Sequence, residues 1–162
     1  MSTFESGNFH WIETYFVMFD SGQRPTVEAM GKTLKKLGGR FEVLNLRGNE
    51  EGQFESVSIR ASDAYAAVDV AYLFGEEVLE RGNEMVEQLL EQATSEYERQ
   101  LIGRLPVCDC QFDVMHFEEV SDDPEEEAGM VDPSALLLVL GALVKLTDGV
   151  AIDPQSNTLV IE

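Results

Sequence analysis

Bases are scarce in this 162-residue chain: 11 Lys and Arg stand against 31 Asp and Glu, a formal net charge of −20. A surface so charged repels nucleic acid, because phosphate recognition needs clustered cations, and anionic membrane is disfavoured for the same reason. It leaves open high solubility or a basic protein partner. Histidine is limited to His10 and His116, and cysteine to Cys108 and Cys110. Two cysteines make no disulfide framework, and no second Cys pair completes a tetrahedral metal set. Long hydrophobic runs are missing too. The longest, Ala135 to Val144, is interrupted by Gly141. At about 1.5 Å per helical residue it cannot cross a bilayer core of roughly 30 Å. Met1 to Gly22 has no basic n-region and carries Glu5, Glu13 and Asp20, so it does not read as a signal peptide. The cytoplasm is the expected location. No G-x-x-x-x-G-K-[ST], G-x-G-x-x-G, G-x-S-x-G or H-E-x-x-H motif occurs, and no cofactor is expected.

What is present suits one folded domain. The hydrophobic fraction is 44%, with nine Phe, four Tyr and Trp11; disordered chains of high charge lack such residues. At this length a domain buries roughly 70% of the surface its extended chain exposes. Trp11 to Phe19 reads as a strand that is apolar on both faces, hence central and covered twice, or covered once with a partner on the other side. Asp20-Ser21-Gly22 signals a turn. Pro25 suits the start of a helix carrying Val27, Met30, Leu34 and Leu37 at helical spacing, and Gly38-Gly39 ends it. Phe41–Arg47 and Phe54–Ala61 predict a hairpin over a polar loop, with Leu44, Leu46, Val57 and Ile59 facing inward. Residues 67–74 alternate as a strand. Glu76 to Leu101 predicts one long helix with an apolar stripe from Val78 to Leu101, and its overhang could meet a second subunit, giving a possible homodimer.

Pro106 precedes a further strand, Val107 to Val120. Residues 121–131 form an acidic loop. Residues 132–162 then read as an extension: a buried helix over 133–147 and a closing hairpin, Val150–Ile152 with Thr158–Ile161. The order β-α-β-β-β-α-β over residues 9–120 looks like a ferredoxin-like sandwich, an antiparallel sheet with helices on one face, to which the helix and hairpin are added. The fold class expected is therefore α+β. Fold at this level transfers no function.

Four features could carry chemistry. Residues 24–47 hold six bases (Arg24, Lys32, Lys35, Lys36, Arg40 and Arg47) against Glu28 and Glu42, a local +4 that leaves −24 on the rest. Ser21, Gly22 and Arg24, just before a helix N-terminus, with Lys32 and Lys36 further along it, are candidate ligands for a small anion. The plainer reading is a turn and a solvated basic helix face. Cys108 and Cys110, two apart on a strand, would share a face and could grip a soft metal or act as nucleophile with His10. The plainer reading is two core thiols, since His116 lies about 20 Å along the strand from Cys110 at roughly 3.3 Å per residue. Glu118, Glu119, Asp122, Asp123, Glu125, Glu126 and Glu127 concentrate seven acids in ten residues, without the alternating spacing of a calcium loop. The fourth is the whole acidic surface.

Three functions follow in order of fit. The first is a non-enzymatic binding or regulatory module using an acidic surface toward a basic protein, one variant being mimicry of nucleic-acid charge. The second is a small-ligand sensor with a pocket near the N-terminus of the first helix. The third is a cysteine-dependent enzyme.

Overall fold

The computed structural model describes residues 9–61, 63, 65–119 and 133–160. Along the chain these form β1 (Phe9–Phe19), α1 (Val27–Lys35), β2 (Glu42–Gly48), β3 (Phe54–Ala61), β4 (Ala66–Phe74), α2 (Glu76–Gln92), α3 (Glu96–Ile102), β5 (Cys110–Glu119), α4 (Pro133–Thr147), β6 (Val150–Asp153) and β7 (Thr158–Leu159). The described strands make one sheet, ordered β2-β3-β4-β5-β1-β6-β7, with each neighbouring pair antiparallel. The protein is α+β, and 67–74 is a strand as its alternation predicts. The acidic loop 121–131 and the predicted helix cap Asp132 lie outside the described residues.

The double-faced pattern of β1 decides the layering. Tyr15, Val17 and Phe19 enter a core with Met30 and Leu34 of α1 and with Leu136, Val139, Leu140 and Leu143 of α4. Phe16 and Met18 turn the other way, against Val78 and Leu89 of α2, Ile102 of α3, and Val150 and Ile152 of β6. Successive strand residues point to opposite faces, so α1 and α4 cover one face while α2 and α3 cover the other. The expectation of helices on one face is corrected: a central strand apolar on both sides exposes a second apolar surface unless both are roofed. Each Phe or Met buried in this way contributes about 1.5–3 kcal/mol relative to exposure. In the larger core Phe112 sits between Phe19 and Phe54, at ring separations of 4.8 and 5.4 Å. The strand order also differs from a ferredoxin-like sandwich. The two strands that α1 connects, β1 and β2, stand apart with β5, β4 and β3 between them.

Three local expectations change. The helix over 76–101 is two helices, because Ser95 accepts from the Glu98 amide while Glu98 reaches back to the Ser95 amide, a capping box that starts α3. The single long helix whose overhang was to meet a second subunit is therefore two shorter ones. In β2 the register shifts between Leu44 and Arg47, and Asn45 has φ +52°. This bulge puts Leu46 with Val43 in the larger core and sends Leu44 to a small cluster with Ala67 and Phe117. Finally, α4 is not buried all round, since Leu137 and Leu138 are 41% and 43% exposed. Just beyond α4, Gly149 passes β1 so closely that a Cβ would lie 2.8 Å from the Met18 carbonyl oxygen. No helix among the described residues is long and apolar enough to cross a membrane.

Candidate functional site

The turn before α1 is built from its own carboxylates. Asp20 accepts from the Gly22 amide and Asp109 from the Ser21 amide, both at 2.9 Å. The amides expected to receive an external anion at Ser21 and Gly22 are thus already engaged by anionic side chains. At the helix start Thr26 caps the Ala29 amide, and the Val27 amide is held by the Gly52 carbonyl. Arg24 is committed through its two terminal nitrogens, while its buried Nε has no hydrogen-bond partner among the described residues. Its Nη1 donates to Gln53 Oε1 at 3.1 Å, its Nη2 to the Phe54 carbonyl at 3.0 Å, and its guanidinium lies 3.9 Å over the Tyr72 ring. It acts as a strut between the β2–β3 loop and β4. Lys32 pairs with Glu28 on the open face of α1. Lys36 stands elsewhere, in a groove between α1 and α4.

Cys108 and Cys110 do not share a face. The chain between Leu105 and Val107 is a 3-10 turn, and β5 begins only at Cys110, so the strand alternation does not reach Cys108. Cys108 packs with Met18, Val78 and Leu89 and its thiol donates to the Arg104 carbonyl at 3.4 Å. Cys110 belongs to the opposite core, 3.2 Å from the Tyr72 hydroxyl. Burial pushes both thiols up to about 11, the direction opposite to that of an activated cysteine. His10 aligns with Glu118 and Phe19 with Cys110 in the β1–β5 register. His10 and Cys110 are therefore at opposite ends of β1, about 30 Å apart at roughly 3.3 Å per residue. Among the described residues no group of three or more His, Cys, Asp or Glu is placed to hold a metal ion. Of the acidic run, Glu119 pairs with Arg60; residues 122–127 lie outside the described residues.

The acids of α2 are arranged differently. Glu76, Glu77, Glu80, Glu84, Glu87 and Glu91 are all exposed, because Val78, Gly82 and Leu89 define the buried stripe. Glu76 and Glu77 also sit in the first turn, where the helix dipole favours negative charge. The base within α2, Arg81, turns inward. It donates to Gln111 Oε1 at 2.8 Å and lies 5.4 Å from the Phe16 ring, while Gln111 in turn donates to Asp113. Burial raises the Asp113 carboxyl, and Gln111 and Arg81 oppose that shift. The only positive charge on α2 is thus spent beneath the helix, and its outer face carries carboxylates. Two large apolar side chains are exposed on this pair of helices: Leu90 on α2 is 44% exposed, and Tyr97 on α3 is 60% exposed in a cleft with Leu101, Arg104 and, from α4, Leu137, Leu140 and Val144. The sequence marks the carboxylates, but it assigns Leu90 and Tyr97 to the buried stripe of a single helix. The break at Ala93–Ser95 is what leaves Tyr97 open.

No family model matches the chain, and no curated protein or solved structure matches it.

Proposed function

We propose that the protein is a non-enzymatic binding module whose acidic α2–α3 face docks a basic, amphipathic segment of a partner protein. The observation that carries this reading is the row of six exposed carboxylates on α2, with exposed Leu90 on the same helix and exposed Tyr97 on the helix that follows it. Charge of one sign steers an oppositely charged partner and sets the on-rate, while aromatic and aliphatic anchors supply the residence time. A helix face that merely faces water accounts for the carboxylates, and it leaves exposed Leu90 without a reason. The chain's −20 charge disfavours nucleic acid as the docked species on the same electrostatic grounds.

A Lys-rich amphipathic helical peptide is the probe. Binding is expected to weaken as salt rises, and the variant Glu80→Gln/Glu84→Gln/Glu87→Gln/Glu91→Gln to lose at least about tenfold in affinity, about 1.4 kcal/mol. Leu90→Ser/Tyr97→Ser should also weaken binding but leave the salt slope as it was. Equal affinity of the quadruple variant and the wild type would sink the reading.

A further inference from the structure

On the opposite face of the sheet, α1 and α4 leave a groove of about 480 Å³, lined by Thr33, Lys36 and Leu37 from α1 and its end, and by Leu138, Lys145 and Leu146 from α4 and its last turn. Its chemistry is unlike the rest of the molecule. Acids outnumber bases 31 to 11 in the chain, yet among the described residues no carboxylate lines this groove. Most bases are spoken for: Lys32, Arg40, Arg60, Arg99 and Arg104 have carboxylate partners, and Arg24 and Arg81 hold amide or carbonyl oxygens. Lys36 and Lys145 form no ion pair among the described residues. Lysines near helix C-termini are favoured by the dipole in any case, and each helix end carries about half a negative charge. Two such ends amount to about one negative charge, so two ammonium groups leave the groove net positive.

The remaining lining is aliphatic. Leu37 and Leu146 are half-buried and Leu138 is exposed, with the Thr33 hydroxyl as an added polar group. An apolar cleft of roughly 300–1,000 Å³ with a few polar groups at its rim has the make-up of a small-molecule site. We infer that this groove binds an anionic amphiphile, a single aliphatic chain ending in a carboxylate or phosphate, with the chain along Leu37, Leu138 and Leu146 and the anion between Lys36 and Lys145. This inference is independent of the acidic face on α2 and α3.

The probes are decanoate, decyl phosphate and decanol, titrated calorimetrically. A protein of charge −20 repels anions in general, so saturable one-to-one binding of either anionic probe, at least about tenfold tighter than decanol, is the expected result. Which of the two binds tighter distinguishes the carboxylate from the phosphate source. Lys36→Gln/Lys145→Gln should remove the preference over decanol, and Leu138→Asn should weaken all three probes; each substituted side chain is exposed, and circular dichroism verifies the fold. Decanol binding as tightly as decanoate, an unaffected lysine variant, or no saturable binding of either anion would each overturn the proposal.

Discussion

His116 shows how little a residue's name says about its role. It is 3% exposed, faces Glu13 with Nδ1 to Oε1 at 3.6 Å, and neither ring nitrogen has a hydrogen-bond partner among the described residues. Burial lowers its pKa, with Glu13 opposing the shift. A histidine depressed in the folded state takes up its proton more readily when unfolded, so its contribution is intact above the unfolded value near 6.5 and is lost as pH falls below it. The urea midpoint is expected to drop between pH 7 and pH 5, and His116→Phe to flatten that drop; an unchanged pH profile in the variant would assign the loss to other groups. Arg24 and the two cysteines teach the same lesson. Their types suggested ligands, but Gln53, Phe54 and Tyr72 claim the guanidinium, and opposite cores claim the thiols. None of those partners is adjacent in sequence, which is why the commitment could not be read from the chain.

Among the elements, strands and the first helix are legible from periodicity, because the alternation in residues 67–74 and the stripe Val27, Met30, Leu34 each fit one period. The passage 76–101 is harder. Its apolar positions keep helical spacing through Tyr97 and Leu101, but Thr94 and Ser95 offer side-chain and backbone groups that Glu98 satisfies better outside a continuous helix. The Thr94 amide is the main cause holding the Glu98 carboxyl below its ordinary value. The signature Ser95-x-x-Glu98 was readable as a helix start, and a continuous stripe hides it. Ser95→Ala is expected to cost about 1 kcal/mol, within the 0.5–2 kcal/mol of a lost N-cap, measured by chemical denaturation. A variant as stable as wild type would show that packing of Ile102, not the cap, fixes the break.

At the scale of the whole molecule, the described helices on the two faces of the sheet differ in charge. The described bases of α1 and α4 lie on one side of the sheet, and the exposed carboxylates of α2 on the other. Carboxylates crowded along one helix repel each other over a Debye length of about 10 Å at 0.1 M salt and about 3 Å at 1 M. The melting temperature is therefore expected to rise with NaCl over that range, read by calorimetry with the protein alone in solution. A flat or falling Tm would mean that local ion pairs already neutralise the surface.

Composition and pattern by themselves determined the α+β class, the antiparallel hairpins, the double-faced first strand and the segregation of acids from bases, because each is a property of neighbours a few residues apart. The tertiary structure alone decided which way that second apolar face of β1 would be covered, that Cys108 and Cys110 would part company at the 3-10 turn, and that Lys36 and Lys145, over a hundred residues apart in the chain, would line one groove. Those outcomes depend on strand order and on which helix roofs which face. Strand order is set by the summed burial of distant apolar side chains, and no local period encodes that sum.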